Sequence, residues 1–219
     1  MKLSGGKKLF RWILILLTIV LVPTMFLAYK LLWDPENTKQ VYYPMPREEQ
    51  ALLRSGDIIM RHGYGFFSDA IADAQHDSNA VSHCAMVINE SGNIKVIHAL
   101  SSSVADFDGV QEQTLQRFLN ESKPKSIVVV RYKTTFDTLN LLALEAQRYS
   151  KIQKPFDHNF NSVDTSSFYC TELFHVCFKN ALKRDIFEAK AGSDGKPVYD
   201  LSTFRDSNLF ECIIDHHSK

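Results

Sequence analysis

The sequence predicts an α+β fold, a mostly antiparallel sheet with flanking helices, preceded by one transmembrane helix. Short runs rich in β-branched or alternating apolar residues are concentrated in the middle of the chain, which favours strands. Segments with apolar residues at helical spacing flank these runs. A long apolar stretch without charged side chains lies near the N-terminus and is long enough to cross a bilayer.

The N-terminal apolar stretch runs through residues 12–29 and reaches residue 33 if Lys30 extends its amine to the bilayer surface. Residues 1–33 contain no acidic side chain and five basic ones: Lys2, Lys7, Lys8, Arg11 and Lys30. Because basic residues remain in the cytoplasm, we expect the body on the other side of the membrane, periplasmic or extracellular. A cleavable signal peptide is the alternative, but the residues around Ala28 form a poor cleavage site. An uncleaved signal anchor that contacts the bilayer through residues 12–33 is therefore predicted.

The apolar stretch and the residues after it divide the chain into three predicted segments. These are a cytoplasmic tip with the anchor in 1–33, a linker in 34–51 and a catalytic domain in 52–219. Within the domain, strands are predicted at 57–61, 81–89, 94–100, 127–132 and 209–214. Residues 90–93 join the second and third of these strands and are typical of a hairpin turn. Helices are predicted at 66–74, 112–119, 136–149 and 168–182.

The composition excludes several classes of protein. The 25 basic and 25 acidic side chains balance over the whole chain, so the part after the anchor carries a small excess of acids. A mildly acidic body without a basic cluster argues against nucleic acid as a partner. The four cysteines form no CxxC pair, so a zinc ribbon and a dense disulfide framework are not expected. No metal site and no cofactor are predicted, and the sequence leaves the oligomeric state open.

Two segments carry the predicted chemistry. His83 lies inside an apolar strand, where an imidazole is unusual unless another group bonds to it. Cys170 lies where a helix is predicted to start, and the positive end of a helix dipole lowers the pKa of a thiol. A thiolate and an imidazole brought together form an activated nucleophile with its base. The sequence therefore predicts a cysteine hydrolase or acyltransferase.

The hairpin supplies a third group. If its loop pairs Asn89 with Ile94, then His98 becomes a diagonal neighbour of His83 on the same face of the sheet. A loop of odd length would place the two histidines on opposite faces. In the first case His98 fixes the tautomer of the His83 imidazole, as the third member of a catalytic triad does.

Other residues near Cys170 and His83 are further candidates for the site. The backbone amide of Cys170 suits an oxyanion, and Tyr169 offers a phenolic donor beside it. Asp157 is a candidate for the wall of the cleft, with a solvent-exposed loop as the alternative. Cys84 is predicted to face away from His83 into the core, and Cys177 and Cys212 are also predicted to be core residues. A bridge from Cys84 to either of them stays open.

The motifs around these residues resemble a known family. A histidine strand, a polar partner on the next strand and the helix start Tyr-Cys-Thr-Glu-Leu at 169–173 are similar to the circularly permuted papain-like hydrolases of the NlpC superfamily, the YiiX/YaeF group. The segments 54–59, 154–157 and 196–200 resemble that group's first strand, its approach to the cysteine and its closing segment. In that group the partner position is often a glutamate, whereas this chain has His98, as other NlpC relatives do.

The resemblance implies cleavage of an amide, ester or thioester bond. The first hypothesis is a membrane-anchored thiol hydrolase that cleaves an amide through Cys170, His83 and His98, with cell-wall peptide as one candidate substrate. The second uses the same triad on lipid acyl groups, by hydrolysis or transfer. The third is a non-enzymatic binding module on the same scaffold, which a filled cleft or a long distance between His83 and Cys170 would favour.

Overall fold

A computed structural model describes residues 5–33, 35–74, 81–192 and 195–217. Lys2 and the first predicted linker residue, Asp34, lie outside these ranges. The described part contains a six-stranded sheet flanked by helices, and an apolar N-terminal helix precedes it. The predicted fold class is confirmed.

The sheet has the strand order β4-β3-β2-β1-β5-β8, and each neighbouring pair is antiparallel. Its strands are β1 (Ile58–Arg61), β2 (His83–Glu90), β3 (Asn93–Leu100), β4 (Gly109–Thr114), β5 (Val128–Tyr132) and β8 (Phe210–Asp215). Two short strands, β6 (Lys190–Ala191) and β7 (Pro197–Val198), form a separate ribbon.

The α-helices of the described residues are α1 (Gly5–Trp33), α2 (Arg47–Gln50), α3 (Phe66–Ala74), α4 (Leu115–Asn120), α5 (Phe136–Lys151) and α6 (Cys170–Leu182). Two short 3-10 helices cover Pro35–Thr38 and Leu201–Arg205. Helices α5 and α6 pack together on one face of the sheet, and α4 packs on the other.

Strand β2 is buried on both faces because each face supports its own core. Cys84 and Met86 contribute to the core beneath α5 and α6, whereas Ala85 and Val87 contribute to the core that contains Phe118. Alternation of side chains along a strand produces this division. Consequently His83, which has the same parity as Ala85, lies on the Phe118 face, and its ring centroid is 6.1 Å from that of Phe118.

The turn before β1 depends on a glycine and a buried ion pair. Gly56 has a φ of +91°, and a Cβ atom there would lie 2.4 Å from the Leu139 carbonyl oxygen, so a side chain does not fit. Asp57 is fully buried and accepts hydrogen bonds from Arg131 Nε and Nη2, both at 2.7 Å. Because a buried carboxylate needs such partners, this pair links the start of β1 to β5.

The predicted helix at 112–119 is wrong in its first half. Residues Gly109–Thr114 form β4, which pairs with β3 along its whole length, and the helix begins only at Leu115. Thr114 ends the strand and caps α4, since its side chain accepts a hydrogen bond from the Arg117 amide at 3.3 Å. Pairing with β3, the preceding strand, determines this structure.

Helix α1 contains a segment, Lys8–Lys30, that is long and apolar enough to cross a membrane. Its side chains are exposed, unlike those of a core helix. The chain then returns to the body: the Val41 amide donates to the Asn120 carbonyl at 2.7 Å, and Tyr43 and Met45 are buried. Helix α1 and the 3-10 helix Pro35–Thr38 both contact α3. The predicted linker therefore contacts the body, with Tyr43 and Met45 buried against it.

Candidate active site

The hairpin of β2 and β3 brings the two histidines together. Asn89 pairs with Ile94, the register for which the sequence predicts neighbouring histidines. His83 Nε2 and His98 Nδ1 are 2.9 Å apart, a hydrogen bond, and both residues are buried.

This bond fixes which nitrogen of His83 is available for chemistry. Since Nε2 is engaged by His98, only Nδ1 is left to accept a proton from another group. For Nδ1 to act as a base, Nε2 must carry the proton and donate it to His98 Nδ1. His98 then carries its own proton on Nε2, an atom that is buried and has no hydrogen-bond partner in the described parts of the chain.

A buried cation, Arg61, lies next to His83. Arg61 lies opposite His83 on the neighbouring strand β1, and its Nη1 donates to the Phe118 carbonyl at 2.8 Å and to Glu121 Oε2 at 3.0 Å. Its guanidinium lies 4.4 Å from the centre of the Phe118 ring. In the sequence, Arg61 is the charged last residue of an apolar strand. No local pattern there predicts its contact with Phe118.

The environment keeps His83 neutral. Burial lowers its pKa well below 6.5, and the nearby His98 and Arg61 lower the pKa further. The pKa of His98 is also far below its ordinary value, again because of burial and then Arg61. A neutral His83 at pH 7 can accept a proton.

Cys170 is the first residue of α6 and is half-buried. The neighbouring Cys84 thiol, which donates towards the Cys170 sulfur, is the main factor that lowers the Cys170 pKa. Burial opposes this effect, while the backbone amide and side chain of Thr171 and the Cys170 amide add to it. The predicted position of Cys170 at a helix start is thus observed, and its contact with Cys84 is an addition to the sequence analysis.

The first turn of α6 also contains a buried acid, Glu172. Its Oε2 accepts a hydrogen bond from the Tyr169 amide at 3.4 Å. Burial raises the pKa of Glu172 to about 8. A mostly neutral acid at pH 7 adds little negative charge beside a thiolate.

Replacing Cys84 by alanine should raise the apparent pKa of Cys170, because the thiolate loses its main donor. The measurement is the pH dependence of Cys170 alkylation by iodoacetamide, followed by mass spectrometry. Cys177→Ala is the matched control, since Cys177 is as fully buried as Cys84 and belongs to the same core. An equal effect of the two substitutions would refute the role of Cys84.

The other two thiols differ from each other. Burial raises the pKa of Cys177, as expected of a core thiol, whereas Cys212 is exposed, so its predicted core position is wrong. The cause is an irregularity in the β5–β8 pairing: Val129 pairs with Ile214 but Val130 with Cys212, which changes the side-chain alternation on β8. All four cysteines are free.

Cys170 and His83 line the same cleft, which has a volume of about 530 Å³. Cys170 reaches it from the α6 side of the sheet and His83 from the Phe118 side, at the end of the sheet where β2 begins. The remaining lining is mainly apolar or small and includes Phe67, Ile71, Leu100, Val104, Phe156 and Phe160. The cleft is open, as an enzyme that admits a substrate requires.

Tyr169 and Asp157 are placed elsewhere than expected. The buried Tyr169 hydroxyl accepts the Tyr199 amide at 2.7 Å and bonds to Ser162 Oγ at 2.8 Å. Asp157 is buried and accepts the amides of Asn159 and Asn161, at 2.8 and 2.5 Å. Among the described residues, neither belongs to the lining of the cleft. Both shape the loops around Cys170.

Comparison with known proteins identifies both a family and a fold. A family model described as "Permuted papain-like amidase enzyme, YaeF/YiiX, C92 family" matches residues 52–195. The crystal structure of the metalloprotein YiiX from Escherichia coli O157:H7 is similar in fold, with a TM-score of 0.61 and 21% sequence identity. The alignment covers 74% of this chain and 97% of that one. No curated protein matches the chain.

The description of that structure as a metalloprotein raises the question of whether this chain has suitable ligands. Within the described ranges, no group of three or more His, Cys, Asp or Glu side chains could hold a metal ion. His83 and His98 are bonded to each other, an arrangement that suits a base and its partner. The match of the family model over the larger part of the chain, together with this fold, shows that the protein belongs to the YaeF/YiiX family of permuted papain-like amidases, enzymes of the cysteine hydrolase type.

Proposed function

We propose that this protein is a membrane-anchored amidase in which Cys170 is the nucleophile, His83 the general base and His98 the group that orients the base. The observation that carries the proposal is the 2.9 Å bond between His83 Nε2 and His98 Nδ1, beside a cleft that Cys170 also lines. The bond leaves Nδ1 as the nitrogen that exchanges protons with the sulfur and the leaving group.

In the proposed reaction, Cys170 Sγ attacks the carbonyl carbon of the amide, and its proton passes to His83 Nδ1. This requires the sulfur to turn from Cys84 towards His83. The Cys170 amide donates to the oxyanion. His83 then gives the proton to the departing amine, and a thioester remains on Cys170. Water that loses a proton to Nδ1 cleaves the thioester and releases a carboxylic acid.

The experiment is to trap the thioester. The full chain in detergent micelles would be mixed with a panel of peptide amides, thioesters and acyl lipids, quenched in acid and analysed by peptide mass spectrometry. We expect an acyl adduct on Cys170 with at least one substrate, and slower loss of the adduct in His83→Ala. Turnover of an amide without any adduct on Cys170, or with an adduct on Cys84 or Cys212 instead, would refute the assignment.

The anchor is the second part of the proposal. Support comes from the exposed apolar helix Lys8–Lys30 and from the basic residues that precede or begin it. Protease added to the outer face of the cytoplasmic membrane should digest the body and spare the first residues. A protected body would reverse the topology, and a mature N-terminus beyond Ala28 would indicate a secreted enzyme.

A further inference from the structure

A second thiol lies beside Cys170. Cys84, on strand β2, is fully buried in the core beneath α5 and α6, and Cys170, at the start of α6, packs against the same core. Helix α6 contacts β2 directly. The Cys84 thiol donates towards the Cys170 sulfur, so the two sulfur atoms are neighbours, and both thiols are free. The proposed amide hydrolysis uses only one of them as nucleophile.

The other two cysteines lie too far away to react with Cys170. A disulfide joins residues whose Cα atoms are within about 7 Å. Cys177 is seven residues further along α6, which places it roughly 10 Å along the helix axis from Cys170. Cys212 is on β8, and β1 and β5 separate that strand from β2, a distance of roughly 14 Å across the sheet. Of the four cysteines, all within the described ranges, only Cys84 is placed to bond to Cys170.

The two neighbouring thiols differ in their reactivity towards an oxidant. Cys170 lines the cleft and has a lowered pKa, so a hydroperoxide that enters the cleft meets a thiolate. Cys84 has no contact with solvent, and burial raises its pKa, so it stays a thiol until the sulfur beside it has reacted. An accessible thiolate beside a second thiol is typical of a redox-sensitive cysteine and its resolving partner.

We propose that a hydroperoxide oxidises Cys170 and that Cys84 then closes a reversible disulfide with it, which protects the nucleophile from irreversible oxidation. In the first step the Cys170 thiolate takes one oxygen from the hydroperoxide and becomes a sulfenic acid, while the rest of the peroxide leaves as hydroxide or alkoxide and takes a proton from water. In the second step the Cys84 sulfur displaces the sulfenic oxygen, which leaves as water with the Cys84 proton. The two thiols have then given two electrons to the peroxide.

The disulfide holds the Cys170 sulfur away from its base. Cys84 faces the α5 and α6 side of β2, whereas His83 faces the Phe118 side. A sulfur bonded to Cys84 is no longer a thiolate, so amide hydrolysis stops until a dithiol attacks the Cys170 sulfur from the cleft and Cys84 leaves as a thiol. This loss of activity rests on the proposed function, because it assumes that Cys170 is the nucleophile, but formation of the disulfide does not.

The test treats the full chain in detergent with hydrogen peroxide in excess, blocks the remaining thiols with iodoacetamide and analyses the peptides by mass spectrometry, before and after reduction with dithiothreitol. We expect a peptide pair joined through Cys84 and Cys170, lighter by two hydrogen atoms than the separate peptides, which dithiothreitol separates. Cys177→Ala is the matched control, since Cys177 is buried in the same core, and this variant should form the same link.

Two substitutions of Cys84 remove the resolving thiol. Cys84→Ser keeps a donor beside the Cys170 sulfur but cannot form the bond, so Cys170 should proceed to a sulfinic or sulfonic acid that dithiothreitol does not reduce. Cys84→Ala should give the same product, and it replaces Cys84→Ser in the experiment if the buried hydroxyl prevents folding. Dithiothreitol should restore most of the amide hydrolysis that the wild type loses to peroxide, and little of that lost by either variant.

The failures of the two proposals can be told apart. Irreversible oxidation of Cys170 in the wild type without a link to Cys84 would overturn the disulfide proposal, as would a link to Cys177 or Cys212. Equal recovery of reduced Cys170 in the wild type and in both Cys84 variants would also overturn it. If the link forms and hydrolysis of a responsive amide continues unchanged, the disulfide proposal stands and the assignment of Cys170 as nucleophile fails.

Discussion

Replacement of Cys170 by alanine is expected to reduce amide hydrolysis by about a thousandfold or more, because no other group replaces the thiolate as nucleophile. Cys170→Ser should be almost as inactive, since a hydroxyl in the same place has a far higher pKa than a thiol. The measurement is kcat/KM for a responsive amide at pH 7. Cys170 is half-buried and lines the open cleft, so neither substitution is expected to unfold the protein.

Chemical labelling offers an independent check with a built-in reference thiol. Cys212 is exposed, so its reaction reports accessibility, and its pKa is raised because it is partly desolvated. Cys170 has a lowered pKa, so its alkylation should persist at pH values where that of Cys212 has decreased. Cys212→Ser should retain full activity. If Cys170 and Cys212 lost reactivity together as the pH falls, the activation of Cys170 would be refuted.

Local pattern predicted the histidine pair for one of the two possible hairpin registers, and the structure has that register. The alternation of β2 and the four-residue turn determine which side chains share a face, and both can be read from adjacent residues. For the same reason the faces of His83 and Cys84 were predicted as opposite. The start of α6 was also predictable to within two residues, at Cys170 instead of residue 168.

Contacts between separate helices and strands could not be predicted from the sequence. Strand β4 has the sequence Gly-Val-Gln-Glu-Gln-Thr, which shows little strand pattern, and only its pairing with β3 makes it a strand. The contact of Cys84 with Cys170 depends on how α6 lies over the sheet, and the exposure of Cys212 depends on one irregular pair in β8. Arg61 lies next to His83 because β1 is the neighbour of β2, an arrangement that no single segment indicates.

Replacement of His83 by alanine is expected to lower kcat/KM by about 10²–10⁴-fold, the usual contribution of a general base. His98→Ala should cost less than His83→Ala, because an orienting residue positions the base and does not touch the substrate. The double variant Cys170→Ala/His83→Ala should be no slower than the Cys170→Ala single variant, since the two groups act as a unit.

The pH profile separates positioning by His98 from a purely structural role. His83 must be neutral to act as a base, and burial holds its pKa well below 6.5, so wild-type activity should not decrease between pH 7 and pH 6.5. Because His98 also lowers the His83 pKa, His98→Ala should move the acid limb of the profile to higher pH. His98→Asn should recover part of the rate, since its amide oxygen can accept the proton on His83 Nε2.

His158 provides the control for this experiment. It also lines the cleft, but its Nε2 bonds to Asp108 at 3.0 Å, away from the histidine pair. We expect His158→Ala to leave the acid limb of the pH profile in place. If His98→Ala kept full activity and His158→Ala lost activity, the orienting residue would be His158 and not His98. His98 is fully buried, and its Nε2 has no hydrogen-bond partner among the described residues, so its bond to His83 is the contact that these substitutions test.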